Sequence, residues 1–508
     1  MRKPQMVMAL AALLLSTAPA LLAQDVASFE KRIKVETLDN GLTLIVMERP
    51  EAPVFSFFIH VDAGSSQELA GQSGLAHMFE HMAFKGTDVI GTTNYAEEKK
   101  ALETVETTYR AYELERRKLA GRDDAKAAAL QKAWKDAIAE ADKFVVKNEF
   151  GEIVDREGGV GLNAFTSNDE TGYFYSFPAN RIELWAYLES ERFLKPVMRE
   201  FYKERDVVFE ERRMRVESNP IGRLVEQFLA AAFTAHPYGR SGVGWPSDLT
   251  SYSASDAESF FDQYYVASNM VVAVVGDVKA AEVSALVKTY FGRIPKSPKP
   301  EPIRTVEPPQ SSERTVVIKD QAQPFYVEGY HRPSAFDKDD AVYAVISDLM
   351  TAGRTSRLYR ALVRDKKIAA AAAGFSGFPG EKYPNLFAFY AVPTPGHTPA
   401  EMQAAIREEI ERLKTTDITA DELKMVKTRA KANLIRGLAN NQGLAIQLAT
   451  AQNRFGDWRQ VFRQVEDIDK VTVADVKRVA NATFVESNRT IGIVDSTKLA
   501  TAPAGGQE

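Results

Sequence analysis

Gly74-Leu-Ala-His77-Met-Phe-Glu80-His81-Met-Ala-Phe-Lys-Gly-Thr87 is the stretch on which the reading of this chain turns. Two imidazoles stand four residues apart in it, with a carboxylate between them, in a segment whose composition predicts helix. Residues four apart share one helical face, with Cβ atoms about 5–6 Å apart, so His77 and His81 can reach a single zinc ion. Glu80 precedes His81 by one position and projects beside the same site, where it can take a proton from water. Only six histidines occur in 508 residues, which makes chance assembly of this pentapeptide a poor explanation. The plain alternative is two solvated helix histidines beside a surface glutamate, and the flanking sequence argues against it.

Upstream, Ile33-Lys-Val-Glu-Thr-Leu-Asp-Asn-Gly-Leu-Thr-Leu-Ile-Val46 places Asn40-Gly41 between two alternating runs, a strong hairpin signal. A further strand is predicted over 54–62, and a glycine-bearing loop from Gly64 to Gly74 then leads into the histidine helix. Downstream, residues 95–147 are rich in Ala, Glu, Lys and Arg and lack Pro. Their apolar positions are Leu102, Val105, Tyr109 and Tyr112, then, after Gly121-Arg-Asp-Asp124, Leu130, Trp134, Ile138, Ala141 and Val145. That spacing predicts an inserted helical hairpin whose charged exterior is a solvated face.

A chain of 508 residues implies two to four domains. Residues 1–23 read as a signal peptide: Arg2 and Lys3, the apolar run Val7–Leu15, then small residues up to a cleavage point at Ala23/Gln24. The run is too short to span a bilayer, and no later stretch is long and apolar enough. The expectation is therefore an exported protein, periplasmic or secreted, with no membrane span. Prolines across 295–309 predict an extended linker. On each side lies a similar unit. Ser253-x-x-Asp256 opens a helix that leads through Asn269 into a strand, and Thr472-x-x-Asp475 does the same through Asn488. The offsets agree, 472 − 253 = 219 and 488 − 269 = 219, which argues for an internal duplication. The units are then 24–294, with the histidine motif, and 310–498, without it, before a disordered tail at 499–508.

Hydrophobic content of 45%, charged content of 26% and a net charge of −5 are ordinary for a globular protein and give no basic stripe for nucleic acid. Cysteine is absent, which removes thiol catalysis and Cys-based zinc sites. Gly71-Gln-Ser-Gly74 resembles half of a serine-hydrolase nucleophile elbow, but Leu75 stands where its final Gly belongs. A catalytic zinc needs a third protein ligand and an open position. Without Cys, a carboxylate is the expected donor, and Lys203-Glu204-Arg-Asp206-Val-Val-Phe-Glu210-Glu211 is the densest candidate segment, with Val207 and Val208 expected on its buried face. Composition does not choose among Glu204, Asp206, Glu210 and Glu211.

Taken together, Gly64-x-x-x-Glu68, the His77–His81 motif, Asn163-Ala-Phe-Thr166, Glu204 through Glu211, His236-Pro-Tyr-Gly239 and Gly353-Arg-Thr-Ser-Arg-Leu-Tyr359 resemble the pitrilysin/insulinase family of zinc metallopeptidases. The branch that includes the mitochondrial processing peptidase is the most similar. The resemblance implies an α+β clamshell of two homologous halves, each an antiparallel-rich sheet flanked by helices. It implies one Zn2+ per chain on His77, His81 and Glu211, supported by Glu204, with Glu80 as general base on the zinc water. Peptide or unfolded-protein substrate would add as a strand near Gly161–Thr166, touching Asn163 and Ala164. The family's second half often offers an Arg and a Tyr seven residues apart; here Arg364 is followed by Ala371. A homologous partner subunit, in a homo- or heterodimer, is therefore expected to supply the missing groups. A non-catalytic scaffold of the same fold is the alternative.

Overall fold

The computed structural model describes residues 29–496; the expected signal segment and the tail at 499–508 lie outside them. Two sheets organise the chain. The first holds β1 (Ile33–Thr37), β2 (Thr43–Glu48), β3 (Val54–Val61), β4 (Val160–Thr166), β5 (Thr171–Pro178) and β6 (Met270–Gly276), in the order β1-β2-β6-β3-β5-β4. The second holds β7 (Arg314–Lys319), β8 (Phe325–Arg332), β9 (Ala369–Phe378), β10 (Asn385–Pro393) and β11 (Arg489–Asp495), in the order β7-β11-β8-β10-β9. Without β1 the two orders are the same. Each has one parallel pair, β2/β6 and β7/β11, and is otherwise antiparallel. The fold is thus α+β, a clamshell of two like halves.

The duplication extends to hydrogen bonds. Ser253/Asp256 and Thr472/Asp475 both form capping boxes. Asn269 donates to the carbonyls of Tyr264 and Asp62, and Asn488 to those of Thr483 and His331. The separation from strand end to Asn is 207 residues in the first half and 157 in the second. The excess, 207 − 157 = 50, is close to the length of the helical hairpin.

Each half has a core of its own, and each sheet is also packed by a helix from the other half. Helix Pro220–Ala232 belongs to the first half by sequence, yet Leu224, Phe228 and Leu229 pack on Phe325, Val327 and Leu386 of the second sheet. Reciprocally, helix Asn441–Phe455 lays Leu444, Leu448 and Ala449 against Ile45, Val271 and Ala273 of the first. Each exchanged helix is capped by an asparagine side chain, Asn219 and Asn440. Each fully buried leucine contributes about 1.5–3 kcal/mol, so the exchange binds the halves together. The linker between them has no regular structure and is held in place: the Glu307 carboxylate accepts the N–H groups of Thr234, Ala235 and His236.

The hairpin is built from helices Tyr95–Arg116 and Asp124–Ala141, capped by Asn94 and Asp123. Its buried stripe does more than join its own two helices. Tyr109 and Trp134 pack on Tyr202 of helix Phe201–Arg212, with ring centroids 4.5 and 5.1 Å away. Arg205 of that helix lies over all three rings and donates to the Tyr109 hydroxyl at 2.8 Å.

Candidate metal centre

The helix Leu75–Met82 carries the motif, and its apolar residues Leu75, Met78, Phe79 and Met82 are buried. That packing turns His77 and His81 toward the opposite side, with ring centroids 4.9 Å apart. The helix starts from Gly74 at φ +88°, where a Cβ would lie 2.6 Å from the Val243 carbonyl oxygen. Two of its first N–H groups, those of Gly74 and Ala76, donate to the buried Glu68 carboxylate at 2.8 Å each. Burial pushes Glu68 up to about 8, against the downward pull of those two bonds.

The helix Phe201–Arg212 brings the third donor. Glu211 Oε2 lies 3.4 Å from His77 Nε2, and Oε1 lies 4.0 Å from His81 Nε2. Among the described residues, His77, His81 and Glu211 form the one group of three side chains able to share a metal, with ligand atoms within 4.8 Å of each other. Glu204, two turns earlier, places Oε2 3.4 Å from His81 Nδ1 and Oε1 2.5 Å from Lys85 Nζ. Asp206 and Glu210 are exposed and stand away from the site. Val207 is exposed too, contrary to expectation, while Val208 is buried. The buried face runs through Phe201, Tyr202, Arg205, Val208 and Arg212 in steps of one, three and four, which leaves position 207 on the outer side. Two residues after Glu211 the helix widens into a π-turn, Arg213–Glu217, a feature often found at functional sites. It sets Arg215 Nη2 3.6 Å from Glu211 Oε2.

Burial, then the charge of His81, lowers His77 to about 3. His81 is raised instead: burial opposes, but Glu204, Glu211 and Glu80 prevail. Glu204 is lowered, since His81 and Lys85 outweigh its burial. Glu80 is raised by burial, and the Thr166 hydroxyl donates to its Oε2 at 2.6 Å. Thr166 closes β4, the terminal strand of the first sheet, so the motif helix and the free sheet edge meet at Glu80.

The donor set fits zinc. Two ring nitrogens and a carboxylate converge, and Glu211 Oε2, which faces His77 Nε2, is buried without a hydrogen-bond partner. Burial holds His77 neutral, as a metal ligand must be, and two nitrogens plus one carboxylate is a known catalytic zinc set with one position left open.

Asn163 and Ala164 lie on β4, with Asn163 exposed and its Oδ1 accepting the Ala164 N–H at 2.9 Å. Arg364 is exposed and bonded to its neighbour Asp365, and Ala371 lies on β9, the terminal strand of the second sheet. Sequence reasoning assigned no role to Glu68, Lys85 or Thr166. All three lie inside the quoted motifs, but only their partners disclose what they do.

A family model described as Insulinase (Peptidase family M16) matches residues 44–113, and one described as Peptidase M16 inactive domain matches 251–430. The second segment holds no His-x-x-Glu-His motif. The chain is 30% identical over 464 residues to the zinc protease PqqE of Helicobacter pylori, covering 89% of this chain and 90% of that one. It is 23% identical over 475 residues to a probable mitochondrial-processing peptidase subunit beta of Arabidopsis thaliana, covering 91% and 78%. The crystal structure of a protease from Helicobacter pylori is similar with a TM-score of 0.76 at 26% identity, covering 91% of this chain and 99% of that one. The chain belongs to the M16 (insulinase) family of peptidases.

Proposed function

We propose that this chain is a zinc-dependent endopeptidase that hydrolyses peptides or unfolded protein segments. The observation that carries the reading is the convergence of His77, His81 and Glu211 within 4.8 Å, with Glu80 one residue from His81 on the same helix. Zinc, when bound, supplies Lewis acidity toward water and the scissile carbonyl. Glu80, half-buried and bonded to Thr166, takes the proton of the attacking water and returns it to the leaving amine. Glu204 holds His81 through Nδ1 and so aims Nε2 at the site, while Lys85 keeps Glu204 charged. The free edge of β4 offers main-chain hydrogen bonds to an extended substrate, with Asn163 and Ala164 beside its backbone.

The basic and apolar N-terminal residues support export, to the periplasm or beyond, and among the described residues no helix is long and apolar enough to cross a membrane. Arg364 turned to Asp365, with Ala371 where a hydroxyl would help, supports a homologous partner that completes the carbonyl-binding groups. Full activity of the isolated chain would count against that partner. The scaffold reading is weaker, because all four residues of the site are intact.

The test is cleavage of a mixed peptide pool by the purified chain, with chelator and with zinc restored. Cleavage that stops with chelator and returns with zinc supports the proposal. Cleavage indifferent to chelator, or a chain that takes up no zinc, overturns it.

A further inference from the structure

Among the described residues the Glu80 side chain has one hydrogen-bond partner, the Thr166 hydroxyl at 2.6 Å. The general base is therefore only as well placed as Thr166, and Thr166 ends a loosely held strand. β4 has no neighbour on its outer side, and its pairing with β5 shifts register between Val160 and Asn163. Four residues, Ser167–Glu170, then turn the chain into β5. The end of β4 takes its position from that turn.

The turn is gripped from two directions. On the side of the first half, the carbonyls of Ser167 and Asn168 accept the N–H groups of Ser65 and Ser66 at 3.0 Å each. From the second half comes the loop 379–384, between β9 and β10. Asp169 is buried, and its Oδ2 accepts the N–H groups of Glu381 and Lys382 at 2.7 and 3.0 Å. Its Oδ1 accepts the Tyr238 hydroxyl at 2.5 Å. The approach is so close that a Cβ on Gly380 would lie 2.6 Å from Asp169 Oδ2. The loop is itself tied down. Arg454, on the exchanged helix Asn441–Phe455, pairs with Glu381, and Lys382 Nζ donates to Asp62 at 2.5 Å.

A continuous chain of contacts thus runs from the second half through Asp169 and the turn to Thr166, and ends on Glu80. Hydrogen bonds to a charged acceptor are stronger than neutral ones, so Asp169 holds the turn to one place. That matters at this site more than elsewhere, since a displacement of about 1 Å in a reacting group can cost about 10²-fold in rate.

We propose that Asp169 is a positioning residue for catalysis. By fastening the β4–β5 turn to the second half it sets Thr166, whose hydroxyl holds the Glu80 carboxylate in line for proton transfer. The half without the histidine motif thereby acts on the general base without touching substrate. The inference rests on the endopeptidase reading and adds a task for the second half within it.

The experiment compares the full zinc-loaded chain as wild type, Thr166→Val, Thr166→Ser, Asp169→Ala and the double variant Asp169→Ala/Thr166→Val. The substrate is a quenched fluorescent peptide drawn from those that the wild type cleaves. Thr166→Val keeps the side chain's size and removes its hydroxyl. Its kcat should fall by about tenfold or more, with KM and bound zinc within about twofold of wild type, and Thr166→Ser should restore the rate. Asp169→Ala should lower kcat with the same small change in KM. The double variant should be no slower than the slower single one, because both act through one bond. Tyr238→Phe removes one of the three bonds to Asp169 and replaces Asp169→Ala should that chain not fold; its smaller loss should vanish in the same way on Thr166→Val. Hydrogen exchange at 163–166 should be faster by about tenfold or more in Asp169→Ala, whether or not the isolated chain cleaves. Wild-type kcat in Thr166→Val, losses that multiply in the double variant, or unchanged exchange in β4 would overturn the inference and leave the endopeptidase reading standing. A chain that takes up no zinc would instead defeat that reading, and the positioning role with it.

Discussion

Replacing Glu68 with alanine removes the acceptor for two N–H groups at the start of the motif helix, those of Gly74 and Ala76 at 2.8 Å each. Both bonds are buried, so water does not readily take the carboxylate's place. A buried unsatisfied donor costs about 1–3 kcal/mol, which puts the loss of two at about 2–6 kcal/mol if the helix keeps its place. If its first turn frays instead, His77 moves and the penalty passes to metal binding, where about 1.4 kcal/mol is tenfold in Kd. Glu68→Ala should therefore lower the urea midpoint of the metal-free chain and weaken zinc binding by at least about tenfold, read by competition with a chromophoric chelator. A pH arm sharpens the test. Burial raises Glu68 from 4.5 to about 8, so between those values the folded chain keeps a proton that the unfolded chain has lost. Its contribution is complete below pH 4.5 and is lost as pH rises through 8, with a slope of at most about 1.4 kcal/mol per pH unit. Glu68→Gln does not titrate and should lack that slope. A Glu68→Ala chain with wild-type zinc affinity and urea midpoint would refute the claim that this carboxylate anchors the helix.

Further outcomes follow from the same geometry. Glu204→Gln weakens the hold on His81 Nδ1 and should reduce zinc affinity about 10–100-fold, measured by the same competition, with little change in secondary structure by circular dichroism. Leu224→Ala and Leu448→Ala empty the two exchanged contacts and should each destabilise the chain by about 2–5 kcal/mol in urea unfolding; loss at one sheet alone would contradict the mutual dependence of the halves. Hydrogen bonds from Arg357 and Thr419 bring Glu422 down to about 2, although burial pushes the other way. Its contribution is present above pH 4.5 and is lost as pH falls toward 2. With solvent screening it amounts to about 1 kcal/mol, so Glu422→Gln should flatten the acid limb of the stability profile by that amount.

What the sequence disclosed follows from how local each signal is. Two histidines four apart on one helical face need no tertiary information, and the capping residues Ser253 and Thr472 announce their helices within one turn. Glu211 was different. It stands among Glu204, Asp206 and Glu210, and only the packing of Phe201, Tyr202, Arg205 and Val208 decides which carboxylate turns toward the imidazoles. The family resemblance chose Glu211, and the buried face accounts physically for that choice. The same face explains why Val207, apolar but off the stripe, stays in solvent. The helix exchange was not legible at all. An amphipathic pattern at Pro220–Ala232 says that one side is buried, and nothing in that period names the sheet on which it rests. Likewise the stripe of Tyr109 and Trp134 predicted a hairpin, while its second task, bracing Arg205 on the helix that bears Glu211, depends on contacts about 70–100 residues apart in sequence.

The most direct test of the account compares wild type with Glu80→Gln for bound zinc and for peptide cleavage in one preparation. One zinc per chain in both, with kcat lower by about 10²–10⁴-fold in the variant, is the expected result. A Glu80→Gln chain that cleaves like wild type, or a wild type that binds no zinc, would contradict it.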